Sequence, residues 1–194
     1  KQLNSMIQNV LPIVVDELNN YLRSQFKSIE DKAMLSNIVE QDGSIAAEMN
    51  KIIVSLIYID KDTTFKASSG TSPSGNNLLA YSPPVNVNLT ILFSAFFSKD
   101  HYIEALRYIS GVIYFFQYKP LFTPQNTPKL FPSADQIYFD LLSIPAGEMM
   151  NYYSMLGSKY VPSVVYKMRM LTFSQDNIIS DIPAIRGIDT KGEV

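Results

Sequence analysis

Between residues 4 and 27 the apolar side chains Met6, Ile7, Val10, Leu11, Val14, Leu18, Tyr21, Leu22 and Phe26 recur at intervals of three and four, a spacing that gathers them on one stripe of a helix. A long amphipathic N-terminal helix is predicted. Pro12 falls inside the pattern; a proline lacks the amide donor and crowds the preceding turn, so a kink or a late start is expected there. The period then changes. Residues 33–40 read as a short strand followed by a turn at Gln41-Asp42-Gly43. Residues 51–60 hold Ile52-Ile53-Val54-Ser55-Leu56-Ile57-Tyr58-Ile59, β-branched and apolar on both faces, as in a central strand covered on two sides.

Residues 65–82 are dominated by Ser, Gly, Pro and Asn. Such a composition buries too little apolar surface to offset chain entropy, and a flexible loop is expected. After Pro83-Pro84, the odd-numbered Val85, Val87, Leu89, Ile91 and Phe93 alternate with Asn86, Asn88, Thr90, Leu92 and Ser94, the period-two pattern of a strand with one buried face. Residues 100–118 return to the helical period through Ile103, Leu106, Ile109, Ile113 and Phe116. A connection spaced by Pro120, Pro124, Pro128 and Pro132 leads to an alternating strand at Ile137, Phe139 and Leu141. Pro145 and Gly157 bracket a short helix, the one suited to the first turn and the other to the position just past the end. Residues 163–173 split into Val164, Tyr166, Met168 and Met170 on one face and Val165, Lys167, Arg169, Leu171 and Phe173 on the other.

These elements add up to one α+β domain over residues 1–173. A mixed or antiparallel sheet is flanked by the long N-terminal helix and one or two further helices, and an extended C-terminal arm follows over 174–194. In an extended arm Ile178, Ile182 and Ile188 share one parity, and Ile179 and Ile185 the other. No single sheet face collects them, whereas an arm lying across a neighbouring subunit, or pairing with an exposed edge strand there, would bury both sets; an ordinary flexible terminus is the alternative. Ile178, Ile182, Pro183, Ile185, Arg186 and Ile188 are therefore the candidate interface residues.

Composition narrows the chemistry. Among 194 residues there is no Cys and one His, which removes thiol nucleophiles, thiolate metal sites and His-rich centres. Gly70-Thr71-Ser72-Pro73-Ser74-Gly75 has the glycine spacing of a phosphate loop, but Asn76-Asn77 stand where Lys and Ser/Thr are needed and Pro73 removes a donor. His101 beside Asp100 lacks a nucleophile elbow or a second His and reads as helix-start chemistry, with Ser98 or Asp100 as N-cap. Asp60-Lys61-Asp62 offers only the first and third ligands of a calcium loop and reads as a solvated strand end. Asn88-Leu89-Thr90 matches a glycosylation acceptor but lies in a strand. Met149, Met150 and Met155 with Tyr152 and Tyr153 read as core filling, an adaptable surface being the alternative. No catalytic, cofactor-binding or metal-ligating residue is nominated, and no enzyme is expected.

Sixteen Lys and Arg stand against eighteen Asp and Glu, a net charge of −2, with no basic cluster; neither nucleic acid nor an anionic membrane is an expected partner. Charged residues make up only 18%, below the typical quarter or so, as if a partner covered part of the surface. Residues 102–122, the most apolar long stretch, are interrupted by Glu104, Arg107, Gln117, Lys119 and Pro120, which argues against a membrane-inserted helix. Lys1 opens into neither a charged segment nor a continuous apolar run, so no secretory signal is expected.

Three segments together resemble the small cap, or tube-terminator, family of phage-tail-like contractile injection systems. They are Ile53-Val54-Ser55-Leu56-Ile57-Tyr58-Ile59 followed by a polar loop, Pro83-Pro84-Val85-Asn86-Val87-Asn88-Leu89-Thr90-Ile91-Leu92-Phe93-Ser94-Ala95 before a helix, and Leu156-Gly157 with Tyr160-Val161-Pro162-Ser163-Val164-Val165-Tyr166-Lys167-Met168-Arg169. The resemblance implies a tail-terminator-like fold and a non-enzymatic protein that closes into a sixfold ring, a hexamer. That ring would end the inner tube and the sheath at the end away from the baseplate. Its partners would be copies of itself and the tube and sheath proteins, met in the bacterial cytoplasm during assembly and retained in the particle. Two alternatives stay open from the residues alone: a small-ligand-binding domain or enzyme using the Gly/Ser loop as a lid, and a monomeric adaptor.

Overall fold

The computed structural model describes residues 7–40, 42–62, 70–74, 77–81, 85–130, 136–173 and 178–183. Three helices and nine strands run in the order α1 (Ile7–Phe26), β1 (Ala33–Leu35), β2 (Lys51–Lys61), β3 (Gly70–Ser74), β4 (Asn77–Tyr81), β5 (Val85–Phe96), α2 (Tyr102–Tyr118), β6 (Leu121–Phe122), β7 (Ile137–Leu141), α3 (Ala146–Met155), β8 (Ser163–Phe173) and β9 (Ile178–Pro183). Six strands form a sheet in the order β1-β2-β5-β8-β7-β6. Its first pair is parallel and the others antiparallel, so the sheet is mixed, in an α+β fold of the expected class.

Successive residues of a strand point to opposite faces, and the two sides of the sheet are filled differently. Ile52, Val54, Leu89, Ile91, Phe93, Tyr166 and Met168 pack with α1 and α2 in the larger core. Their in-between neighbours Ile53, Leu92 and Val165 pack on the other side with Ile38, Ala47 and Tyr153 of α3. The two-sided apolar pattern of β2 thus has its cause in two layers. The same layers correct the reading of β5 as buried on one face, because Leu92 and Ser94 are buried under α3, and Asn88 and Thr90 are buried as well.

On the helical side Phe116 is the hub. Its ring lies 4.3 Å from Phe139, 4.6 Å from Tyr166 and 5.3 Å from Phe93, centroid to centroid. Helix α1 crosses α2 at Gly111, where an added Cβ would lie 2.7 Å from a ring carbon of Phe26 and 2.8 Å from a methyl of Leu22. Lys119 ties α1 to the end of α2 through Glu17 at 2.9 Å. Pro12 does not delay α1, which begins at Ile7 and runs through it. Pro12 lies on the exposed side of the helix, where its ring meets water rather than the core.

Three other expectations need revision. The strand foreseen over 33–40 is only Ala33–Leu35; beyond it the chain turns so that Ile38 reaches the second core and Val39 bridges to Ile45. Within the stretch read as a loop over 65–82, β3 and β4 form an antiparallel hairpin in which Ser74 faces Asn77. The C-terminal stretch contributes β9, which pairs antiparallel with β4 and completes a second, three-stranded sheet, β3-β4-β9.

The end of α3 follows sequence. Gly157 has φ 66°, and its amide donates to the Ser154 carbonyl while that of Ser158 donates to Tyr153. This paired closure of a helix end favours glycine at the left-handed position. Pro145 stands one place earlier than expected, at the N-cap.

Candidate assembly interface

Among the described residues no group of three His, Asp or Glu could hold a metal ion, and no helix is long and apolar enough to cross a membrane. His101 is exposed, with Nδ1 3.0 Å from Glu104 Oε2. Neither Ser98 nor Asp100 caps the helix by its side chain: the turn at 99–101 opens with the His101 amide donating to the Ser98 carbonyl, and the Ser98 side chain makes no capping bond. Candidate functional features are therefore surfaces and sheet edges.

Both edges of the six-stranded sheet are blunt. β6 has two residues and β1 three. The side chain of Asn19 covers the outer side of β1, its Nδ2 donating to the Ala33 carbonyl at 2.8 Å and its Oδ1 accepting from the amides of Ala33 at 2.8 Å and Lys32 at 3.0 Å. An edge so occupied cannot template another strand. The second sheet differs, since β4 lies between β3 and β9, whose outer sides carry no strand among the described residues.

The second sheet repeats the pairing order of the first: β5 pairs with β8 as far as Val85 and Phe173, while β4, which precedes β5, pairs with β9, which follows β8, from Tyr81 and Ile178 onwards. β2 and β3 stand in the same relation to them on the other side. Of the candidate interface residues, Ile178, Ile182 and Pro183 sit in β9, opposite Tyr81, Leu78 and Asn77 of the same chain. Ile185, Arg186 and Ile188 lie outside the described residues. The pairing that sequence suggested for a neighbour's edge is thus made within the chain over 178–183.

The face of the large sheet that α3 leaves uncovered carries a charge-balanced lattice. A bulge between Leu56 and Tyr58 inserts one residue into β2 and turns Tyr58 and Asp60 onto this face. There Tyr58 stands beside Thr90 and Asp60 beside Asn88. Lys167 and Asp140 continue the first row, and Arg169 and Tyr138 the second. Ion pairs run diagonally, Lys167 to Asp60 at 3.5 Å and Arg169 to Asp140 at 3.9 Å. Asp60 is thereby held in the lattice and Asp62 is buried, so the segment is not the solvated strand end expected. The remaining Asp60 Oδ1 and the Asn88 Oδ1 are buried without a hydrogen-bond partner.

Helix α3 is held mainly by Tyr153, whose hydroxyl bonds to Ser94 at 2.9 Å and donates to the Val161 carbonyl at 3.2 Å. Burial raises the Tyr153 phenol above its ordinary pKa against those hydrogen bonds, so it stays neutral. Met150 and Met155 are exposed, which corrects their reading as core filling. Met149 and Tyr152 are half-buried against the second core with Tyr153, so one side of this short helix faces inward and Met150 and Met155 fall on the other.

The family profile described as the Pvc16 N-terminal domain matches residues 9–186. Two solved structures share the fold. One is the PVC sheath/tube terminator of an extracellular contractile injection system in its extended state, with TM-score 0.61 at 13% identity. The other is the tube-terminating cap of the anti-feeding prophage, with TM-score 0.59 at 13% identity. Each superposition covers 98% of this chain. The chain spans 64% of the length of the first and 63% of the second. No curated protein matches by sequence.

Proposed function

The chain belongs to the Pvc16 N-terminal domain family, and from that membership we propose that it is a structural cap that ends the tube and sheath of a contractile injection particle. The observation that carries this reading is extent: the family match runs from residue 9 to residue 186, and the shared fold takes in both sheets.

Ending a polymer requires one face that fits the last ring and another that offers no site for the next subunit. Two blunt edges on the six-stranded sheet suit that second requirement. A ring of identical subunits needs a heterologous interface that closes; the sixfold closure implied by the sequence resemblance, and the tube and sheath proteins as partners, belong to this proposal. So do the absence of catalysis, assembly in the bacterial cytoplasm and the lack of nucleic-acid or membrane contacts. β9 with the arm that follows, through Ile178, Ile182, Pro183, Ile185, Arg186 and Ile188, is proposed as part of the contact with neighbours, since its outer side carries no strand among the described residues and strand addition there would complete its ladder. The ligand-binding alternative loses its lid, because β3 and β4 occupy most of the segment that would move.

The test is to add the purified full chain to growing tubes of the same particle and to locate gold-labelled protein by electron microscopy. Label at one terminus with shortened tubes is expected. Label along the tube wall, or an unchanged length distribution, would overturn the cap.

A further inference from the structure

The two layers on the large sheet present apolar surface in opposite directions. Helix α2 buries Ala105, Tyr108, Val112 and Phe115 against the core, yet its other side carries Ile103, Leu106, Tyr114 and Tyr118. Their spacing of three, eight and four residues forms one outward stripe. Ile103 is 79% exposed and Tyr118 81%, although neither serves the fold. Across the sheet, α3, the connection after it and the 36–50 segment expose Ile45, Met49, Met150, Met155 and Tyr160, with Ile45 at 66% and Met155 at 63%. These groups lie on the other side because Tyr153, Ile38 and Ala47 pack on Leu92 and Val165, whereas α2 packs on Ile91 and Phe93. Contiguous exposed apolar surface of this kind marks contact sites.

Charge distinguishes the two faces. Beside α2, Lys27, Lys99 and Arg107 have no ion-pair partner among the described residues, against the anions Asp100 and Glu104, the latter 3.0 Å from the His101 ring. Beside α3, Glu40, Asp42 and Glu148 stand without ion pairs against the single cation Lys159; Glu48 is near Lys51. Three cations over two anions on one side meet three anions over one cation on the other. Each face therefore repels a copy of itself and attracts the opposite face, and such complementarity sets register and partner choice.

We propose that the outward stripe of α2 on one subunit docks against the α3 and 36–50 layer of a second copy, so that subunits join head to tail. Such a contact uses a different patch on each partner and can close into a ring, whereas an isologous dimer would bury one apolar face against itself and leave the other in water. Met150 and Met155 suit this role, being unbranched side chains that adapt to a facing surface. The inference deepens the cap reading, on which it rests for the existence of a ring.

The chain has no Cys, which makes a cross-linking test clean. Three full-length variants are compared, Leu106→Cys, Met150→Cys and the two together, each treated with a flexible bis-maleimide in the absence of tubes. Both positions of attachment are exposed, and an unchanged melt verifies the fold. The double variant is expected to give a ladder of covalent dimers, trimers and higher species, and each single variant to remain monomeric. Dimers from either single variant would mean like faces meet, and a monomeric double variant would mean another protein covers them; either outcome overturns the proposal. A ladder from a protein that fails to localise to tube ends would leave this contact standing and overturn the cap instead.

Discussion

Asn19 illustrates how one polar side chain decides a boundary of the fold. It lies on the buried face of α1, among Val15, Leu18 and Leu22, a place that its polarity would forbid if its amide were not fully engaged with the backbone of Lys32 and Ala33. Asn19→Leu leaves a buried amide and a buried carbonyl of β1 without partners and should cost about 2 to 4 kcal/mol. Asn20→Leu, next to it but exposed and accepting a hydrogen bond from Arg23, should stay within about 0.5 kcal/mol. Urea melts of the pair measure the difference, and equal costs would deny Asn19 its role. Tyr166 offers a test by pH. Burial pushes its phenol up to about 12 from an ordinary 10.0, so the folded protein holds this proton more tightly than the unfolded chain. The associated stability is fully present below the unfolded pKa and is lost as pH rises through 10 towards 12. Tyr166→Phe should therefore lose less stability than wild type between about pH 9 and about pH 11. Parallel losses in the two denaturation midpoints would contradict it.

At the scale of elements, two glycines in helices should respond to alanine with opposite signs. An alanine normally stabilises a helix by roughly 0.5 to 1 kcal/mol over glycine. Gly147 in the first turn of α3 has nothing within 4 Å of a new Cβ, so Gly147→Ala should gain about that amount. Gly111 lies under α1, where the new methyl would press on Leu22, fully buried, and on Phe26, whose ring is held edge-on to Tyr108 at 5.2 Å and beneath the Arg107 guanidinium at 4.4 Å. Overpacking there should outweigh the helical gain, with Gly111→Ala destabilised by about 1 to 2 kcal/mol. Thermal melts of both variants check the signs; a stabilised Gly111→Ala would mean the α1–α2 crossing yields freely. The periodicity of α1 was readable because it buries one continuous stripe; on α2 the expected stripe was partly misplaced, since Ile103 and Leu106 lie outward while Ala105, Tyr108, Val112 and Phe115 are buried beside Ile109 and Phe116. The β3–β4 hairpin was not readable, although Gly75-Asn76 between Ser74 and Asn77 is a dipeptide suited to a two-residue turn. Gly70–Ser74 has almost no side-chain preference for a strand, and its pairing is provided by β4 rather than by its own residues.

For the molecule as a whole, the two layers should differ in stability. The helical side buries two long helices and the aromatic cluster around Phe116, while α3 contributes Tyr153 as its one buried side chain. Local opening takes its free energy from the contacts that must be broken, so native-state hydrogen exchange should find α3 amides opening well below the global unfolding free energy and those of α1 and β5 close to it. Uniform exchange across the three would show that the second layer is as firmly held as the first. A loosely held α3 layer also suits a surface that adapts to a second copy.

Local pattern alone determined the long helix, the two apolar strands Lys51–Lys61 and Val85–Phe96, the Pro145 and Gly157 ends of α3, and the lack of a thiol or His-rich centre. Each depends on residues adjacent in the chain or absent from it. Tertiary structure decided what depends on a distant partner. Asp60 became part of an ion-pair lattice because Lys167 arrives from β8, and the bulge after Leu56 chose the face it occupies. Asn88 and Thr90 were buried by neighbouring strands, Met150 and Met155 were left outside by the placement of Tyr153, and Ile178–Pro183 became a strand because β4 offered an edge. A strand's hydrogen bonds are made by another segment, often far away in sequence, whereas a helix closes its own within four residues; the sequence could therefore state the helices outright but only half of each strand pair.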